Sequence, residues 1–266
     1  MAKTLAELRE LHKNMNTETK KSTGSSNGFW SPSEGDNLVR FLPGKDDPLD
    51  FFVEASLHAH QDDQGKWNYY KCRKTEQERC PVCDFYYDLW KRHNAMGMGR
   101  DDDSKYNAMA RMIKPRPRFY STAVIRKLQE EGDDSPVKIL SMSKQLFDRV
   151  MAAMISEDFQ DEDDPDNSTI ISLERGNDFN IRMTKQGQWP SYVESSAKYK
   201  KTRAGTPSEV AEWMENELDI KSLGGIDSYE QGKELVMTLE ASLNPVKTET
   251  TSDTPPWSDE KGDLQV

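Results

Sequence analysis

Alternating apolar and polar residues, separated by short polar turns, predict several β-strands in the chain. The predicted strands are residues 37–44, 51–60, 66–72, 118–128 and 137–143. The turn "DDQG" joins the second strand to the third, so residues 51–72 are predicted to form a β-hairpin. Residues 169–187, "TIISLERGNDFNIRMTKQG", predict a second hairpin that turns at Arg175–Asp178.

A second set of segments has the spacing of apolar residues that is typical of helices. The predicted helices are residues 1–14, 84–96, 143–155 and 207–219. Ser143 suits the N-cap of the third and Pro207 the first turn of the fourth. Short strands mixed with a few helices predict a mainly β, α+β protein, and a small OB-type barrel with insertions fits this pattern.

Both ends of the chain differ from the middle. Residues 17–28, "TETKKSTGSSNG", are polar and rich in glycine and serine, which predicts a flexible arm. Residues 245–266 show no periodicity and are predicted to be a disordered, acidic tail. The predicted division is therefore an arm (1–23), a core (24–244) with a cysteine-rich subdomain at about 51–100, and a tail (245–266).

Composition narrows the possible cellular environment. The mean hydropathy is −0.90 and 31% of residues are charged, so the chain has no apolar run long enough for a membrane span. The N-terminus lacks the apolar stretch of a signal peptide, so a cytosolic location is expected. In a reducing compartment, clustered cysteines indicate metal or redox chemistry and not a disulfide framework.

The three cysteines, Cys72, Cys80 and Cys83, lie within a dozen residues. A Cys-x-x-Cys turn supplies two thiolates to a tetrahedral zinc ion, and Cys72 ends the returning hairpin strand nearby. The outgoing strand offers His58 or His60 as the fourth ligand, and both point to the same face. A redox dithiol does not need a third cysteine, and the His-x-Glu motif of zinc deaminases is absent from "HAH". We therefore predict one structural zinc per chain.

Basic and acidic residues are segregated, although the net charge is −11. Residues 105–126 contain six basic residues and no acidic one, and residues 198–203 add four more. Aromatic residues are interleaved with both stretches. Lysine and arginine neutralise phosphates, and flat rings stack unpaired bases, so this mixture predicts a single-stranded nucleic-acid surface without sequence preference. The predicted DNA-binding residues are Lys114, Arg116, Arg118, Phe119, Tyr120, Arg126, Trp189 and Tyr192.

The order of several motifs resembles the single-stranded DNA-binding (helix-destabilising) protein of large tailed bacteriophages. These motifs are "VRFLPGK" (39–45), "HAHQDDQGKW" (58–67), "CPVCDFY" (80–86) and "RFYSTAVI" (118–125). The resemblance implies an OB barrel with a zinc subdomain, and it aligns the family's zinc-binding histidine with His58. It also implies DNA contacts at Phe119, Tyr120 and Tyr192.

The resemblance further implies a non-enzymatic protein that coats single-stranded DNA cooperatively in phage replication, recombination and repair, in the cytoplasm of the bacterial host. It assigns cooperative self-association to Lys20, Lys21, Ser22 and Thr23, and contacts with replication and recombination proteins to the acidic tail. Two alternatives remain at this point: a zinc-dependent nucleic-acid enzyme, and a zinc-stapled protein-interaction scaffold.

Overall fold

The structure is a computed structural model that describes residues 28–62, 64–164, 166–187 and 189–244. The predicted arm (1–23) and tail (245–266) lie outside the described residues. In the part of the chain that is described, no helix is both long and apolar enough to cross a membrane.

Nine strands form one sheet within these ranges. They are β1 (Phe29–Trp30), β2 (Gly35–Phe41), β3 (Phe52–Gln61), β4 (Trp67–Lys71), β5 (Arg116–Ile125), β6 (Val137–Ser143), β7 (Gly176–Gln186), β8 (Trp189–Ser191) and β9 (Ser196–Thr202). The six described helices are α1 (Pro81–Ala95), α2 (Lys105–Ile113), α3 (Arg126–Glu130), α4 (Lys144–Met154), α5 (Pro207–Glu215) and α6 (Tyr229–Leu243).

Strand β5 is the centre of the sheet. One edge of β5 pairs with β6, while the other edge pairs first with β3 and then with β2. Strand β2 continues the sheet to β7, which also pairs with β8 and β9. Helix α4 contacts β5, β6 and β9, so it packs between two parts of the sheet. The predicted mainly β, α+β class is confirmed, and the cysteine-rich segment forms a buried cluster of one histidine and three cysteines.

The main hydrophobic core lies between the sheet and α4. Phe119 of β5 stacks on Phe147 of α4 with the ring centroids 3.8 Å apart, and Phe52 packs against both rings. Ser143 caps α4 by accepting a hydrogen bond from the backbone N–H of Leu146, as predicted. The other face of β5 carries Arg116 and Arg118 at its start, whereas Tyr120 further along that face is buried in a small hydrophobic cluster with Ala55 and Ile139.

A second core surrounds the three cysteines. Helices α1, α2 and α6 pack together there, and Leu89, Ile113 and Leu239 are buried among them. Sequence patterns did not predict α6. Its buried apolar residues, such as Leu239 and Leu243, form only a narrow stripe and alternate with polar and acidic residues. Ser228 begins α6 with a capping box to Gln231, and the Tyr70 hydroxyl donates to the Ser228 carbonyl. Helix α6 is thereby attached to the hairpin that carries the cysteines.

The predicted hairpin at 51–72 and the predicted strand at 137–143 are confirmed by β3–β4 and β6. The hairpin predicted at 169–187 is wrong in its first half. Strand β7 begins only at Gly176, and the preceding carbonyl group of Ser172 accepts a hydrogen bond from the buried Arg40 side chain. This carbonyl group therefore binds the guanidinium group of Arg40 and does not pair with a neighbouring strand.

Three element boundaries also differ from the predictions. The strand predicted to reach residue 128 ends at Ile125, where α3 begins, and the helix predicted at 207–219 ends at Glu215. The first part of the basic stretch forms helix α2, with Ser104 as its N-cap. Pro115 and Pro117 follow α2, because proline does not continue a helix.

Replacing Gly232 by alanine is expected to destabilise the cysteine-rich subdomain. A Cβ atom at this position would lie 2.6 Å from both Pro81 Cγ and the Tyr70 hydroxyl oxygen. Overpacking of this kind costs about 1–3 kcal/mol of the free energy of unfolding. Thermal unfolding of Gly232→Ala should show a lower midpoint than that of Glu234→Ala, an exposed control on the same helix. Equal midpoints would contradict tight packing of α6 on the hairpin.

Candidate metal centre and nucleic-acid interface

Four side chains converge at the base of the β3–β4 hairpin. The side chains of His58, Cys72, Cys80 and Cys83 are buried, and their ligand atoms all lie within 4.8 Å of one another. His58 Nε2 is 3.5 Å from the sulfurs of Cys80 and Cys83, and the sulfurs of Cys72 and Cys83 are 3.5 Å apart. A tetrahedral ion with metal–sulfur bonds of ~2.3 Å requires sulfur–sulfur distances of about 3.8 Å. The group can hold one metal ion.

Local structure explains how these ligands meet. In the hairpin register, His58 is opposite Tyr70, and Cys72 follows β4 with its backbone N–H bonded to the Ser56 carbonyl. Cys80 is the N-cap of α1, and its side chain makes no capping hydrogen bond. Cys83 lies in the first turn of α1, where the helix dipole favours a thiolate. Both thiols of the Cys-x-x-Cys turn are therefore directed to the metal position.

A hydrogen bond fixes the orientation of the His58 ring. The ring Nδ1 lies 2.6 Å from the carbonyl oxygen of Ile113 at the end of α2. If the proton is on Nδ1, which can then donate to this carbonyl, Nε2 is left to bind a metal. Burial lowers the His58 pKa, but hydrogen bonds to Cys72 and Cys80 outweigh this effect and raise the pKa to about 9. When no metal is bound, these hydrogen bonds favour the protonated form of the His58 ring.

The structure distinguishes between the two candidate histidines. Among the described residues, the metal-competent group contains His58 and does not contain His60. His60 is two residues further along β3, opposite Asn68 and beyond the reach of the Cys-x-x-Cys turn. Its pKa is lowered mainly by burial. The fourth ligand position is therefore at His58, in agreement with the prediction from the resemblance.

On the opposite face of this hairpin, two aromatic side chains lie beside two arginines. Trp67 and Tyr69 of β4 are 49% and 60% exposed, and they line a shallow groove with Arg116 and Arg118 of β5. Strand β3 runs between these pairs and contributes only aliphatic residues to the floor, Leu57 and Ala59. Exposed rings, guanidinium groups and a smooth floor are the components of a base-stacking platform.

Two more tyrosines, Tyr120 and Tyr192, are influenced by the charge of Arg118. Burial raises the pKa of both Tyr120 and Tyr192, whereas the charge of Arg118 lowers it, so the guanidinium acts on both phenols. Tyr192 is half-buried and donates its backbone N–H to the Gln145 side chain at the start of α4. Tyr120 is nearly buried, with only 8% exposed, and its ring packs edge-on against Phe29. Arg118 therefore lies near enough to both phenol groups to act on them electrostatically.

Two predicted DNA contacts need correction. Phe119 points to the opposite side of β5 and is buried in the stack with Phe147, so it is a core residue. Arg126 is 9% exposed and binds the Asp178 carboxylate as well as the Ala204 and Arg203 carbonyl oxygens. Its guanidinium is saturated by these partners and is not available for phosphate. The Phe119 error arises because a strand has two faces and the sequence prediction gave neighbouring residues one role. The Arg126 error arises because its partner, Asp178, lies 52 residues further along the chain.

The remaining predicted DNA-binding residues lie at the surface to different extents. Lys114 and Arg116 are exposed next to each other at the end of α2 and the start of β5, and Trp189 is 65% exposed at the β7–β8 turn. The structure does not show a contact that joins Trp189 to the groove. Tyr199 of the second basic stretch is 77% exposed and packs parallel to Phe159.

Sequence reasoning missed Trp67 and Tyr69 as candidate contacts. The signal was present, because residues of odd number in β4 alternate with Tyr70 and Cys72, which face the metal site. Residues two positions apart in a strand lie on the same face, as His58 and His60 do. Trp67 and Tyr69 therefore lie together on the face of β4 that points away from the metal site. The tertiary pairing of β3 with β5 then brings the arginines to that face.

Comparison with known proteins identifies a DNA-binding family. A family model described as "gp32 DNA binding protein like" matches residues 33–241, which is most of the chain. The matched range includes the four metal-competent residues and every residue of the groove. A search of curated proteins finds no match.

Proposed function

The chain belongs to the gp32-like family of DNA-binding proteins, and from that premise we propose that it coats single-stranded DNA cooperatively and without sequence preference. The processes would be phage DNA replication, recombination and repair, in the cytoplasm of the host bacterium. The observation that carries this proposal is the groove of Trp67, Tyr69, Arg116 and Arg118. It combines exposed rings with cations and offers no deep pocket that would select one base.

The arrangement of charges explains why an acidic protein can bind DNA. Arg116 and Arg118 form none of the ion pairs found among the described residues, whereas most other arginines of the core are paired with carboxylates. Lys114 is next to them in the chain and is exposed. Local potential governs association with a polyanion, so an unpaired basic strip is effective in spite of the net charge of −11.

Zinc is the ion that the three sulfurs and one imidazole fit best. When bound, it would supply a structural cross-link, held by His58, Cys72, Cys80 and Cys83, between the hairpin and α1. Four protein ligands complete a tetrahedral site and leave no position for a catalytic water. The chain is accordingly proposed to be non-enzymatic, and the rival reading as a zinc-dependent enzyme would require an open coordination position.

The ends of the chain complete the proposal. Cooperative coating requires each copy to contact its neighbour, and Lys20, Lys21, Ser22 and Thr23 provide cations and hydroxyl groups for such a contact. The acidic tail at 245–266 would recruit replication and recombination proteins. The role of the arm rests on the resemblance of residues 20–23 to the basic motif of the phage proteins, and the role of the tail rests on its acidic charge.

Replacing Trp67 and Tyr69 by alanine tests the DNA surface. Loss of one stacking platform costs about 1–3 kcal/mol per base, so each variant should bind a short oligonucleotide roughly five- to 150-fold more weakly. The decrease should be similar for oligothymidine and for mixed sequences, because stacking does not read base identity. Fluorescence anisotropy at fixed salt concentration measures the dissociation constants.

Tyr87→Ala is the matched control, since Tyr87 is 54% exposed on α1 and lies outside the groove. Its affinity for DNA should equal that of the unaltered protein. Unchanged affinity in both Trp67→Ala and Tyr69→Ala, with the metal retained, would contradict the proposed surface. A protein-interaction scaffold without nucleic-acid affinity would show no binding in any of these titrations.

A further inference from the structure

Two connected grooves lie near the C-terminal end of α4. The first has an apolar side, formed by Leu49, Phe52, Met151, Met154 and Ile155, and a polar side that includes Glu157 and Asp166; its volume is about 410 Å³. Ile155 is 79% exposed and Leu49 is 49% exposed, although both are large aliphatic residues. A cluster of exposed aliphatic side chains around a groove is typical of a binding surface. Among the described residues, nothing covers it.

The second groove is acidic and borders the first. Both are lined by Asn167 and Ser168, so they form one continuous depression. The acidic groove has five carboxylates, those of Asp161, Glu162, Asp163, Asp164 and Glu174, and two cations, those of Arg175 and Lys201. The cations pair with Asp163 and Glu162. Among the described residues, the other three carboxylates have no basic partner, so the groove keeps an excess of negative charge.

The N-terminal segment of the chain has the complementary order of features. Leu5, Leu8 and Leu11 form an apolar stripe at helical spacing, and Lys20 and Lys21 follow. An amphipathic helix that inserts such a stripe into an apolar groove is a common mode of recognition. Eight residues lie between Leu11 and Lys20, and an extended chain of this length spans up to about 30 Å, which is ample for two adjoining grooves.

We propose that the joined grooves are the socket for residues 1–23 of a neighbouring copy of this chain. The leucine stripe occupies the groove at Leu49 and Ile155, and Lys20 and Lys21 bind the carboxylates of the acidic groove. The inference rests on the proposed cooperative function and adds to it the surface that receives the arm. The groove at Ile155 is separate from the DNA surface, because Ile155 is about 15 Å along α4 from Gln145, which contacts Tyr192.

The first test uses full-length protein with Leu49→Glu and Ile155→Glu together. Both residues are exposed, so these changes should leave folding and metal content intact. The cooperativity on long single strands should fall at least about fivefold, the lower end of typical coupling between sites. Affinity for an oligonucleotide that holds one protein should not change. Met237→Glu, at a residue 72% exposed on α6, is the matched control and should keep full cooperativity.

A charge exchange tests the second groove. Lys20→Glu with Lys21→Glu should lower cooperativity, and so should Glu162→Lys with Glu174→Lys. Combining all four substitutions in one chain should restore cooperativity. Every copy then carries negative charges on its arm and positive charges in the groove that receives the arm of its neighbour. Failure of the combined variant to recover any cooperativity would overturn the assignment of the acidic groove.

Photo-cross-linking identifies the occupant directly. A benzophenone amino acid in place of Leu8 should cross-link to residues 148–168. Isotopically labelled and unlabelled chains are mixed on long DNA, so that cross-links between two chains can be told from cross-links within one chain. Cross-links confined to one chain, or to another surface, would overturn the proposal. If deletion of residues 1–23 abolishes cooperativity while the groove variants retain it, the socket is elsewhere and self-association stands. If that deletion leaves cooperativity unchanged, the proposed self-association itself is wrong.

Discussion

Cys83→Ser protein is expected to contain no zinc and to lose the folded structure of the cysteine-rich subdomain. Structural zinc contributes about 10–16 kcal/mol of apparent binding free energy at neutral pH, and the site forms only in the folded chain. Here the ligands join the β3–β4 hairpin to α1, around which α2 and α6 pack. Without the ion, the two remaining thiols, the new hydroxyl group and the imidazole would occupy a buried site. Elemental analysis and thermal unfolding measure the two losses.

His60→Ala is the matched control, because His60 lies on the same strand but outside the metal-competent group. It should keep one zinc per chain, whereas His58→Ala should not. Acidification should release the metal from the unaltered protein, since zinc binds thiolates and protons compete for them. A metal-free protein after purification without chelator, or zinc retained by Cys83→Ser at full occupancy, would contradict the assignment.

Asp178→Asn is expected to destabilise the core by about 3–5 kcal/mol, the usual cost of removing one partner from a buried ion pair. The Asp178 carboxylate lies 2.8 Å from Arg40 and 2.7 Å from Arg126, and both guanidinium groups are buried. Burial lowers the pKa of Arg40 to about 10, while Asp178 acts in the opposite direction. The amide would leave two buried cations close together without a counter-charge.

Chemical denaturation of Asp178→Asn and of a surface control, Asp36→Asn, measures this effect. Asp36 pairs with Arg182 at an exposed position, where an ion pair contributes about 0–1 kcal/mol. The midpoint of the Asp178 variant should shift far more than that of the control. Equal midpoints would show that hydrogen bonds to backbone carbonyls alone satisfy both arginines.

The sequence by itself determined the three cysteine ligands and most of the elements that carry the metal site. The Cys-x-x-Cys turn, the hairpin around "DDQG" and the Ser143 N-cap are local features, in which residues close in the chain specify each other's conformation. His58 was separated from His60 only with the help of the family resemblance. Local patterns could not do so, because both histidines have the same strand parity.

Only the tertiary structure decided which basic and aromatic residues form the surface. Phe119 and Arg118 are neighbours in sequence, yet one is in the core and the other is beside the groove. Arg126 is indistinguishable from a phosphate contact until β7 brings Asp178 to it, 52 residues later. Trp67 and Tyr69 became candidates only when β3 joined their strand to β5. Such strand pairings bring together segments that are distant in sequence. They depend on packing across the whole sheet, and local sequence patterns do not encode that packing.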